Sequence, residues 1–157
     1  NKCLEIGVDG IIIVDLPPEE DEEFYIEAER NKLSVIRLVT PTTDEKRLNK
    51  ILLNATGFVY YVSITGITGT QAPNVANVSI NLKKIKTVTD LPVVIGFGIR
   101  SPSQASSMAN ISDGIVVGSA VVDLIKSSLD NDDNPTKQTL KSCLDFISKV
   151  SESVKHN

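Results

Sequence analysis

The sequence of 157 residues has no tryptophan, one methionine, one histidine and two cysteines. His156 stands one residue from the end, where fraying is expected, so histidine catalysis and histidine metal sites are set aside. Cys3 and Cys143 lie far apart without metal-type spacing and read as two inert thiols. No cluster of ligand types is present, and no metal is expected. No apolar stretch approaches the ~20 residues of a membrane span, and the opening residues lack a secretory pattern. Sixteen basic residues against twenty acidic ones leave a net charge of −4 and no basic face, which argues against nucleic acid as a partner. A cytoplasmic protein is the expectation.

What is present centres on Val93-Val94-Ile95-Gly96-Phe97-Gly98-Ile99-Arg100. The run is short, β-branched and bounded by Pro92 and Gly96, the pattern of a strand buried on both faces. A helix follows at once. Ser101 is placed to cap it, Pro102 takes its first position, and Gln104 completes a capping box. A strand, a glycine turn and a capped helix expose backbone N–H groups suited to an anion, most often a phosphate.

The arrangement repeats in Asp113-Gly114-Ile115-Val116-Val117-Gly118-Ser119-Ala120, with Ser119 placed to cap or donate at the next helix. A glycine before a helix is by itself ordinary tight packing. Two in succession suggest the last two strands of a (β/α)8 TIM barrel, whose phosphate site lies after strands seven and eight.

Upstream, strand and helix alternate. Asn1 to Gly7 resembles a last helical turn closed by glycine, and residues 8–15 read as a buried parallel strand. A helix is expected over residues 19–32; its acidic start, Glu19 to Glu23, reads as a solvated helix N-terminus. Residues 34–39 form the next strand, and Thr42 with Glu45 predicts a capping box for a helix with Leu48, Ile51 and Leu52 inward. Residues 57–62 are a strand leading into a long irregular loop, 63–74, of the kind that serves as a lid. A helix from about Val78 to Val88 faces Val78, Leu82 and Ile85 inward. A polar break at residues 127–135 precedes a closing helix carrying Leu140, Cys143, Leu144, Ile147, Val150 and Val154 at helical spacing, expected on the barrel's outside. The fold class is therefore α/β, with five βα units. A complete barrel takes ~250 residues. Residues 1–157 are accordingly expected to be the C-terminal, phosphate-binding part of one TIM-barrel domain in a longer chain.

Gly7-Val8-Asp9-Gly10, Asp15-Leu16-Pro17, Tyr60-Tyr61-Val62-Ser63, Gly66-Ile67-Thr68-Gly69, Gly96-Phe97-Gly98-Ile99 and Gly118-Ser119-Ala120 occur in an order and spacing that closely resemble the tryptophan synthase alpha subunit family. The resemblance implies strands four to eight of the barrel. It implies a lyase of tryptophan biosynthesis, splitting indole-3-glycerol phosphate into indole and glyceraldehyde 3-phosphate by a retro-aldol reaction that needs an acid and a base. It places the phosphate on main-chain groups of Gly69, Gly96, Gly98, Gly118 and Ser119, with the Ser119 hydroxyl adding a bond. Tyr60 resembles the family tyrosine beside the glycerol moiety, and taken alone it reads equally as an interior barrel aromatic. Phe97 resembles the substrate-contacting ring, and Thr68 the lid threonine that supports a catalytic aspartate.

No catalytic residue is expected within this chain, because the family's two catalytic carboxylates precede Asn1. Asp15, at a strand end before Leu-Pro, reads as a turn former rather than a substitute base. Ile64 departs from the arginine that the family often carries there. The resemblance also implies a beta subunit as partner in an alpha2-beta2 complex, met by Pro17, Glu19, Glu20 and the lid. Pyridoxal phosphate belongs to that partner, and this chain is expected to carry no cofactor. Two other readings fit the residues: a truncated module that binds phosphate ligands and the beta subunit without catalysis, and another sugar-phosphate barrel enzyme.

Overall fold

A computed structural model describes residues 2–63, 74–96 and 98–155. Five strands form one parallel sheet in sequence order: β1 (Gly10–Ile12), β2 (Ser34–Val39), β3 (Val59–Val62), β4 (Val93–Gly96) and β5 (Gly114–Ile115). Between and around them run α1 (Lys2–Glu5), α2 (Glu22–Arg30), α3 (Glu45–Leu52), α4 (Val75–Lys86), α5 (Pro102–Ala109), α6 (Ser119–Ser127) and α7 (Lys137–Lys155). Neighbours in sequence are neighbours in the sheet, the order of a barrel wall rather than of a doubly wound sheet, where the order reverses.

Alternation along the strands separates two faces. Val59 and Tyr61 of β3 and Val93 and Ile95 of β4 are buried beneath the helices with Leu48, Ile51, Leu82, Ile85 and Met108. Tyr60, Val94 and Gly96 lie on the other face. A smaller cluster of Ala28, Leu33 and Val35 fills the space under α2.

Several element boundaries differ from the sequence expectation for local reasons. β1 spans three residues rather than 8–15, because its ladder to β2 ends at Ile12 opposite Ile36. Ile13 and Val14 continue beyond it, exposed. α2 begins at Glu22 rather than residue 19: Glu20 N–H closes a turn on the Pro17 carbonyl at 3.0 Å, and Asp21 becomes the N-cap. α3 is capped by Asp44, whose side chain accepts from Arg47 N–H at 2.7 Å. The expected Thr42 box does not form, and Thr43 instead folds back on Thr40 through its backbone and its hydroxyl. Replacing Asp44 by alanine is expected to destabilise the protein by about 1 kcal/mol, the usual worth of such a cap. Urea unfolding measures it, with Thr42→Ala as the near-neutral control.

α4 starts three residues earlier than expected because Asn74 caps it, accepting from Asn77 N–H at 3.2 Å. Ser101 caps α5 as the sequence predicts, but Gln104 reaches back to Arg100 N–H, at 2.8 Å, instead of to Ser101. α6 is entered through Gly118, so Ser119 is its first residue and does not cap it. The closing helix α7 packs on α5 and α6. Val150 and Val154 reach the main cluster, whereas Leu140, Leu144 and Ile147 are exposed, so only part of the expected stripe is covered. The lid expectation for residues 63–74 lies outside the described residues except at its two ends.

Candidate phosphate site

The strands are parallel, so the ends of β3, β4 and β5 open on one side of the sheet. Gly96 is the last residue of β4. A Cβ built on it would overlap the Tyr60 hydroxyl and ring, which therefore lie directly against the Gly96 backbone. Only glycine admits that approach. Burial raises the Tyr60 phenol above its ordinary value, so at neutral pH it is protonated and able to donate.

Ser63, just past β3 and buried, grips the same glycine from its other side. Its N–H and its hydroxyl both donate to the Gly96 carbonyl, at 3.1 and 2.8 Å. Sequence reasoning did not single out Ser63. The available signal is its position, a small hydroxyl residue closing a strand of large ones. Gly98 follows with φ +79°, a left-handed conformation that favours glycine.

The second turn lies one strand over. Among the described residues, a Cβ built on Gly118 would meet nothing within 4 Å. No side chain caps α6, unlike α3, α4 and α5, and its first turn carries no acidic residue. Its leading N–H groups therefore lack a side-chain cap, and the uncapped start of a helix favours an anion. The structure brings Tyr60, Gly96, Gly98, Gly118 and Ser119 to one end of adjacent strands. Thr68, Gly69 and Phe97 lie outside the described residues.

The expected partner-facing residues Pro17, Glu19 and Glu20 sit beyond the end of β1, on the same side of the sheet. Pro17 is half-buried, and Glu19 and Glu20 are exposed. Glu19 is engaged by Arg47 and, at 3.8 Å, by Lys50. The Arg47 hydrogen bond holds its carboxyl below the ordinary value. The reading of the acidic cluster as wholly solvated fails at Asp21, which is 1% exposed and paired with buried Arg37 of β2. Asp15 is exposed.

Among the described residues no group of three or more His, Cys, Asp or Glu is placed to hold a metal, and Cys3 and Cys143 are free thiols. No helix among them is long and apolar enough to cross a membrane. A hollow of about 460 Å³ between α3 and α4, over Leu48 and Tyr61, lies on the helix-covered side of the sheet, away from the glycine turns.

Comparison with known proteins gives a match over residues 1–152 to the family described as tryptophan synthase alpha chain. Among solved structures, tryptophan synthase subunit alpha from Legionella pneumophila is 29% identical with a TM-score of 0.83, over 99% of this chain and 55% of that one. The subunit from Campylobacter jejuni is 30% identical with a TM-score of 0.79, over 95% and 56%. An aminoacrylate-bound tryptophan synthase from M. tuberculosis is 27% identical with a TM-score of 0.75, over 99% and 59%. The chain thus spans about half the length of the solved chains that it matches, and its five units correspond to part of their TIM barrel.

Proposed function

The chain belongs to the tryptophan synthase alpha chain family, and from that premise we propose that it is the phosphate-binding half of a lyase that cleaves indole-3-glycerol phosphate into indole and glyceraldehyde 3-phosphate. The observation that carries the proposal is the pair of adjacent strand ends, one at Gly96 with Tyr60 against its backbone and the other at Gly118 before an uncapped helix.

In this reading residues 1–157 form the C-terminal part of a single TIM-barrel domain. The phosphate sits between the two turns and takes main-chain N–H groups of Gly98, Gly118 and Ser119 together with the Ser119 hydroxyl. Gly96 has no side chain to block the approach, and Gly69 completes the cradle from the loop. Tyr60, held protonated by burial, orients the glycerol moiety, Phe97 lies against the substrate, and Thr68 supports a catalytic carboxylate. The retro-aldol step needs a base on a glycerol hydroxyl and an acid at the indole ring carbon. In this reading both roles fall to carboxylates of the barrel outside residues 1–157. Pro17, Glu19 and Glu20 meet the beta subunit, which supplies pyridoxal phosphate for its own reaction. A cytoplasmic location fits this biosynthetic role.

Indole release from indole-3-glycerol phosphate by the full-length protein tests the reading. Ser119→Ala is expected to raise KM by about tenfold, the worth of a hydrogen bond to a charged group, with a smaller effect on kcat. Full-length protein that releases no indole, with or without a beta subunit, overturns the lyase. An unchanged KM in Ser119→Ala removes the Ser119 hydroxyl from the phosphate site.

A further inference from the structure

Among the described residues, few bonds join the two proposed phosphate turns. The ladder between β4 and β5 has only two register pairs, Val94 with Gly114 and Ile95 with Ile115. Among the described residues its last backbone bond runs from Val116 N–H to the Ile95 carbonyl, at 2.7 Å. Beyond it, among the described residues, no backbone bond links the 98–101 stretch to Gly118 or to the first turn of α6. Among the described residues a side-chain contact spans that gap: the guanidinium of Arg100, two residues past Gly98, donates to the carboxylate of Asp123 on α6.

Both ends of the contact stand on fixed supports. Arg100 N–H is held by the Gln104 side chain at 2.8 Å, so the arginine backbone is part of the α5 cap. Asp123 lies four residues after Ser119, and residues four apart share a helix face. Holding Asp123 therefore fixes the rotation of the first turn of α6, and with it the direction of the Ser119 side chain. In the sequence the pair is not legible, because an arginine after a glycine turn and an aspartate in a helix each look like solvated charge.

We propose that Arg100 and Asp123 form a clasp that sets the spacing of the two turns, which makes them positioning residues for the phosphate. The inference rests on the proposed phosphate site. It differs from a direct charge effect in a way that can be measured. As a direct cation, Arg100 would attract phosphate and Asp123 would repel it, so Asp123→Asn would tighten binding. As a clasp, the pair loses its function when either partner is removed.

The test uses the full-length protein, with KM and kcat for indole-3-glycerol phosphate and the Kd for inorganic phosphate. The charge-neutral double variant Arg100→Gln/Asp123→Asn is expected to raise KM and Kd by about fivefold, the upper end for an exposed ion pair, and to leave kcat within about twofold. Asp123→Asn alone is expected to weaken binding equally, and the exchanged pair Arg100→Asp/Asp123→Arg to recover most of the loss. Both side chains are about half exposed, so the melting temperature is expected to hold. A double variant that binds like wild type, tighter binding in Asp123→Asn, or an exchanged pair as weak as the single variants overturns the clasp. Wild-type protein with no affinity for inorganic phosphate and no turnover overturns the phosphate site itself, and the clasp with it.

Discussion

Gly96→Ala is expected to destabilise the protein by about 3 kcal/mol, the high end for an inserted methyl in a filled space. It is also expected to lower kcat/KM for indole release by about a hundredfold, as a misplacement of ~1 Å at a reacting site does. The new methyl would overlap the hydroxyl and two ring carbons of Tyr60. The backbone has little room to retreat, because Ser63 holds the Gly96 carbonyl by two hydrogen bonds from a buried position. Either the phenol leaves its place over the turn or the turn moves away from the proposed phosphate position.

The partner of that clash is identified by the second substitution. Tyr60→Phe added to Gly96→Ala is expected to recover little, since ring carbons as well as the hydroxyl occupy the space. Tyr60→Ala is expected to restore most of the stability, a coupling of about 1–3 kcal/mol in a double-mutant cycle. Activity would stay low, because the phenol is then absent. Urea unfolding midpoints and steady-state kinetics on the four variants separate the two effects. A Gly96→Ala protein that unfolds with wild type would mean that Tyr60 does not lie against Gly96.

How far the sequence reaches is visible in the same residues. Both glycine turns were legible because each is local: a β-branched run leads directly into a glycine and a serine, and the backbone demands of such a stretch do not depend on distant partners. The capping role was legible only at Ser101, since Ser119 opens α6 without capping it. The inward stripes of α3 and α4 were legible for the same reason, and Leu48, Ile51, Leu52, Val78, Leu82 and Ile85 are buried. The contact of Tyr60 with Gly96 is not local. It depends on the register that sets Tyr60 beside Val94 and Val62 beside Gly96, and register is fixed by packing across 34 positions of chain. The split of the α7 stripe has a similar origin. Helical spacing shows that a face is apolar, but not how much of that face the rest of the fold covers.

Replacing Arg37 by methionine is expected to cost about 3–5 kcal/mol, because it strands the Asp21 carboxylate in a site that is 1% exposed. The pair was the largest omission of the sequence reading. Five consecutive acids looked like one solvated patch, and no periodicity distinguishes the one that turns inward. The usable signal was on the other partner: Arg37 sits between Val35 and Val39 on the buried face of β2, where a charge demands a counter-charge. The pair holds the start of α2 to the sheet, directly after the Pro17 to Glu20 turn. Its own economy is poor. Arg37 Nε is buried and has no hydrogen-bond partner among the described residues, a defect worth about 1–3 kcal/mol. Replacing both partners, Arg37→Met with Asp21→Leu, is therefore expected to match wild-type stability or exceed it by about 1–2 kcal/mol. Urea unfolding of the single and double variants checks the sign. If the double variant is no more stable than Arg37→Met alone, Asp21 contributes through its place at the head of α2 rather than through its charge. Affinity for the beta subunit, the proposed partner, gives the functional half of the test. A double variant that folds well but docks about tenfold more weakly would show that the buried pair is retained to aim the turn at the partner rather than to stabilise the fold.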